Sequence, residues 1–158
     1  MNWLQEFERN GYIKVKADDM SIIQGIRDQL YTLTKDVFDI QSDEDANVFF
    51  DDFHRHKFSQ EEFNSKKIEL VERCTNEADF GREIAVAFQK YIQGLIGPDI
   101  LVQKRSNLIV FSPNDPHYSE PHRDAPLNSP YELVFWMPFT DCYDTKSLYM
   151  LNIEESRR

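Results

Sequence analysis

Apolar positions in the first two thirds of the chain fall at helical spacings, and those in the last third do not. "NWLQEFERNG" has the pattern of a brief helix stopped by Gly11, and "YIKVK" alternates apolar and charged residues in the manner of an edge strand. From an N-cap at Asp18 or Asp19, residues Ile23, Ile26, Leu30, Leu33 and Val37 recur at intervals of three and four. This predicts a helix to about Phe38 with one core-facing stripe. "DIQSDEDAN" interrupts the pattern with acidic residues and reads as a solvated loop; a calcium loop would need a turn glycine and a closing glutamate, and neither is in place. Phe63, Lys67, Leu70 and Cys74 predict another helix, and Phe80, Ile84, Phe88, Tyr91 and Leu95 a longer one ended by Gly97-Pro98. Beyond Pro98, "DILVQKRSNLIVFSP", "YELVFWMPF" and "SLYMLN" are short, rich in β-branched and aromatic residues, and bounded by Pro, Asn and Asp, which predicts strands. The expected class is α+β: a mainly helical part, residues 1–97, packed on the first strands of a sheet, residues 98–158, within one domain.

Charge and cysteine usage narrow the function classes. With 18 Lys+Arg against 28 Asp+Glu the formal charge is −10, which repels phosphate backbones and anionic bilayer surfaces, so neither nucleic acid nor membrane is an expected partner. Cys74 and Cys142 stand far apart and in no CxxC or Cys/His spacing, which fits a reducing, cytoplasmic setting. The N-terminal residues are studded with charge and lack an apolar export core, and no window approaches the roughly 18 apolar residues of a membrane span. A Gly-rich phosphate loop and a G-x-S-x-G elbow are both missing, which removes the geometric core of nucleotide-binding and serine-hydrolase readings.

The candidate chemistry lies in "EPHRDAPLNSPYELVFWMPFTDC". On an extended backbone His122 and Asp124 project to the same side, separated by Arg123, so an imidazole nitrogen and a carboxylate oxygen can share one metal ion. That pair is two thirds of the facial triad that holds ferrous iron with open positions for other ligands. The triplet alone is weak, because 4 His and 15 Asp in 158 residues give roughly 0.4 such matches by chance. Its surroundings add to it: Pro121 and Pro126 stiffen the segment on either side, and an apolar run begins at Leu133. Arg105 and Asn107, on the preceding predicted strand, either point toward a substrate or co-substrate or face solvent.

The block "PHRDAPLNSPYELVFWMPFTDCYDTKSLYML" resembles the phytanoyl-CoA dioxygenase-like branch of the iron(II)/2-oxoglutarate oxygenases, and looks closest to small bacterial members associated with surface-polysaccharide clusters. The similarity is close over residues 98–152 and vague before them. The resemblance implies a double-stranded β-helix, or jelly roll, backed by helices, with His122 and Asp124 as the first two iron ligands and Trp136 beside 2-oxoglutarate. It implies hydroxylation of a small-molecule or carbohydrate-linked substrate, driven by decarboxylation of 2-oxoglutarate.

The sequence also departs from that family. A second histidine and a basic anchor for 2-oxoglutarate follow on later strands in the family, whereas here no histidine follows His122, and Arg157 and Arg158 lie outside any strand pattern. About half of the jelly-roll strands are expected, as in the N-terminal part of a longer enzyme, with open sheet edges available for self-association. His117 is a possible substitute ligand but sits among turn formers; His54 and His56 form an H-x-H that reads first as surface histidines; and Glu120 reads as a solvated carboxylate. Two rivals stand beside the oxygenase. One is a non-catalytic, degenerate oxygenase-like interaction protein completed by another chain. The other is a cupin-like sugar isomerase or epimerase, which would take several histidines from successive strands.

Overall fold

Helix α2 (Met20–Phe38) is the element on which three of the other helices assemble. The computed structural model describes residues 2–105, 107–110, 122, 132–144 and 146–157. Among these, the helices are α1 (Trp3–Asn10), α2, α3 (Ala46–Asp52), α4 (Gln60–Glu77), α5 (Phe80–Ala87) and α6 (Gln89–Ile96), with 3-10 turns at Phe53–Arg55 and Glu155–Arg157. Helices α3, α4 and α5 all pack against α2.

The stripe predicted for α2 is the one that is buried. Ile26, Leu30, Leu33 and Val37 join Phe38, Ile40, Phe49, Leu70 and Phe80 in a single apolar core. Asp19 caps the helix by accepting the Ser21 N–H at 2.8 Å, and Asp39 ends it in the left-handed region, with φ 54°. Helix α1 likewise stops where expected, at Gly11, whose φ of 81° is open to glycine without penalty.

Two helical details differ from the periodicity. The acidic break is shorter than "DIQSDEDAN" suggests, because Asp45 accepts the Asn47 N–H at 2.8 Å and starts α3. That bond holds the Asp45 carboxyl below the usual carboxylate range, so the cap is fully effective above that range and is lost as the pH falls through the lowered value. The Tyr31 hydroxyl donates to the Glu44 carbonyl at 2.9 Å and ties the preceding loop to α2. The single helix expected from Phe80 to Leu95 is two, broken at Phe88 (φ −117°, ψ 19°), which lets Ala87 on α5 and Ile92 on α6 both reach buried positions.

Among the described residues the expected sheet is not formed. Residues 12–16, 99–105, 107–110 and 132–139 contain no β-strand among the described residues, and no backbone hydrogen bond pairs one of these segments with another. The α+β class, with helices packed on part of a jelly roll, is therefore corrected to a helical fold with extended segments. The physical reason is that a strand is defined by its ladder. β-Branched and aromatic composition makes a segment fit for a sheet, but without a neighbour in register it stays extended and unpaired. No helix among the described residues is long and apolar enough to cross a membrane.

Two rings dominate the core. Phe38 meets Phe53 and Phe58, both at 5.1 Å between centroids, and Phe49 meets Tyr31 at 4.9 Å and Phe53 at 5.7 Å, nearly all edge-to-face. Phe49 has 0% exposure. Phe49→Ala should lower unfolding free energy by about 3–5 kcal/mol in urea titration. Val48→Ala, at the exposed neighbouring position, should stay within about 0.5 kcal/mol.

Candidate functional site

The extended segments lie on the helical layer with alternating faces. In 132–139, Met137 and Phe139 pack against the core and Leu133 is half-buried, while Phe135, 41% exposed, meets Phe88 at the α5–α6 junction with centroids 5.7 Å apart. Phe139 also meets Phe50 of α3 at 6.1 Å. The intervening residues turn away: Val134 is 67% exposed and Trp136 47%. Met137 and Phe139 inward with Trp136 outward is the alternation of an extended backbone, here laid on helices with no ladder among the described residues. Among the described residues around it, Leu108 lies on the core while Arg105, Asn107 and Ile109 are exposed.

Three anchors hold these segments. At Gly81 in the first turn of α5 an added Cβ would meet the Gln103 carbonyl oxygen at 2.5 Å, so only glycine permits this close backbone approach. Near the C-terminus, Ile153 covers Gly11 at the end of α1. Between them, the Lys146 ammonium donates to Asp51 of α3 at 2.8 Å and lies over the Tyr143 ring at 5.3 Å. Its turn is closed by the Lys146 N–H donating to the Tyr143 carbonyl at 2.8 Å, with Asp144 in the left-handed region. Sequence reading missed both Asp51 and Lys146 as partners, since 95 residues separate them and spacing carries no signal for such a pair.

The predicted site residues are distributed as follows. His122 is exposed, and Asp124 lies outside the described residues, as do His117 and Glu120. Arg105, Asn107 and Trp136 are exposed. Among the described residues no group of three or more His, Cys, Asp and Glu side chains is placed to hold a metal ion, so that part of the chain supplies one of the two expected donors, His122. The H-x-H pair is not a ligand pair here: His56 packs among Phe49 and Phe53, and His54 lies with its Nδ1 3.0 Å from the Asp51 carbonyl oxygen. Burial pushes the Cys74 thiol up to about 11, which leaves little thiolate at neutral pH and makes it a poor nucleophile.

Away from these segments, an open groove of about 420 Å³ runs between the start of α2 and the α5–α6 junction, lined by Asp18, Asp19, Ile22, Val86, Lys90 and Gln93. It contains none of the predicted site residues. No family model, curated protein or solved structure matches the chain.

The Lys146–Asp51 pair is largely solvated, so it positions the turn and adds little to global stability; exposed pairs contribute at most about 1 kcal/mol. Asp51 raises the Lys146 ammonium above its ordinary value. The tether is therefore complete below the usual ammonium range and lost as pH rises through the raised value. Lys146→Glu should increase proteolytic cleavage near residues 141–147, and adding Asp51→Lys should restore resistance, with the helical circular dichroism unchanged throughout. Cleavage that ignores the swap would remove the tether from the account.

Proposed function

We propose that the chain carries part of the site of an iron(II)/2-oxoglutarate-dependent oxygenase acting on a small-molecule or carbohydrate-linked substrate in the cytoplasm. The observation that carries this reading is the alternation in 132–139. Met137 and Phe139 pack on the helices, and Trp136 between them is left exposed, the residue that the sequence resemblance sets beside the co-substrate. Arg105 and Asn107 are exposed in the second extended segment, available to the same kind of ligand. The reading assigns iron to His122 and Asp124, and two free cysteines suit a reducing compartment.

The metal and 2-oxoglutarate, when bound, supply the oxidising chemistry; the part of this chain is to hold and orient them. An imidazole and a carboxylate two residues apart give a ferrous ion two of the three protein donors of a facial triad, so the expected affinity for the chain is low. Trp136 would present an aromatic face to the co-substrate and keep water from one side of it.

The test is anaerobic titration of the chain with ferrous ion, read by the quenching of Trp136 emission in a Trp3→Phe background. Wild type should saturate weakly, and His122→Ala and Asp124→Ala should each weaken binding by roughly tenfold or more, given that even outer-shell partners of metal ligands are worth 10–100-fold. Equal binding by wild type and both variants would overturn the assignment.

A further inference from the structure

We infer that helix α1 is a latch, a unit that opens and closes as one, and that it couples the face of α6 to the C-terminal turn at residues 152–157. Two contacts define it. At the first turn of α1 the Trp3 indole stands edge-to-face against Tyr91 of α6, with centroids 5.3 Å apart. The same ring lies so close over Gly94 that an added Cβ there would meet it at 2.6 Å. At the far end of α1, Ile153 covers Gly11 and reaches to 3.0 Å from the place a Cβ would take. The two ends of one short helix thus rest on parts of the chain that are far apart in sequence.

Length makes the two contacts interdependent. Helix α1 has eight residues, none of them buried, and an isolated helix shorter than about 12–15 residues is marginal in water. Its caps are local: Asn2 and Gln5 form a capping box, and the Gly11 N–H donates to the Phe7 carbonyl at 2.7 Å. They finish the helix without fixing where it sits. Helix α1 therefore keeps its form by being seated, and unseating it at Trp3 melts the end on which Ile153 rests. Folded and melted α1 are two states that both contacts bias, which is the physical requirement for coupling between them. Among the described residues the apolar core takes no side chain from α1, so the latch opens with α2 intact.

The turn that carries Ile153 is built to move as one piece. The Glu155 N–H donates to Asn152 Oδ1 at 2.9 Å and the Asn152 N–H to Glu155 Oε2 at 3.2 Å. The Ser156 N–H closes the turn on the Asn152 carbonyl at 2.9 Å. Upstream, the Lys146–Asp51 pair fixes the chain to α3. Opening α1 therefore loosens the stretch after Lys146 and leaves that tether closed. None of these residues belongs to the proposed metal and co-substrate set, so the latch stands apart from the metal-dependent reading.

Gly94→Ala in the full chain is the direct test, read by NMR. Alanine is a better helix former than glycine, so any loosening comes from the methyl group beneath Trp3 and not from α6 itself. Amide exchange at Phe7 and Arg9 should rise roughly tenfold or more, while Leu30 and Val37 in α2 keep their wild-type rates. The nuclear Overhauser contact between the Ile153 side chain and Gly11 should disappear. Trp3→Ala, which removes the ring instead, should act alike, and Ile153→Ala should in turn speed exchange in α1, because coupling is reciprocal. Gly25→Ala, where an added Cβ meets nothing within 4 Å, should match wild type in every reading. Unchanged exchange in α1, or an Ile153–Gly11 contact that survives faster exchange, would overturn the inference. Equal loss of protection in α2 would overturn it as well, by making α1 part of the core.

Discussion

The structure depends on the burial of one aromatic cluster against α2. Ile26 and Phe49 are the largest side chains with no exposure, and the rings of Tyr31, Phe38, Phe53 and Phe58 close around them. Three elements with little in common in sequence, α2, α3 and the turn after α3, are brought together by that burial. The tethers at its edge are polar and weaker: Lys66 donates to the Val37 carbonyl at 2.8 Å, Arg73 bonds Asp36, and Tyr31 holds the loop before α3. The hydrophobic term sets where the helices sit, and the polar contacts set how their ends are finished.

The same cluster organises the extended segments. Met137, Phe139 and Leu108 pack on its flank, and because side chains alternate along an extended chain, burying those residues necessarily turns Val134, Trp136 and Ile109 outward. The apolar outer face is thus a consequence of the helical core, as is the strand-like backbone beneath it. What the helices cannot supply is a hydrogen-bonding neighbour, since every backbone bond of a helix is used within it or at its caps.

Much of the helical part was legible because local signals and core burial agree. The stripe from Ile23 to Val37, the stop at Gly11 and the cap at Asp19 all follow from spacing and side-chain chemistry, and the structure uses them as written. Helix α3 was hidden because its start depends on one carboxylate, Asp45, inside a run that is acidic throughout. The break at Phe88 was hidden because the apolar spacing stays helical across it. The strands failed for a different reason: composition reports what a segment would tolerate, while pairing depends on what lies beside it. Of the candidate site, the outward position of Trp136 was within reach of alternation, but the Asp51–Lys146 tether was not, since only the packed fold brings α3 to the turn at Lys146.

The central claim is that burial of Phe49 and its neighbouring rings against α2 holds the helices in place. Hydrogen–deuterium exchange resolved to single amides tests it most directly. The account predicts strong protection for Leu30, Leu33 and Val37 in α2, falling by roughly a hundredfold or more in Phe49→Ala. Protection of those three amides that is the same in Phe49→Ala as in the wild type would contradict the account.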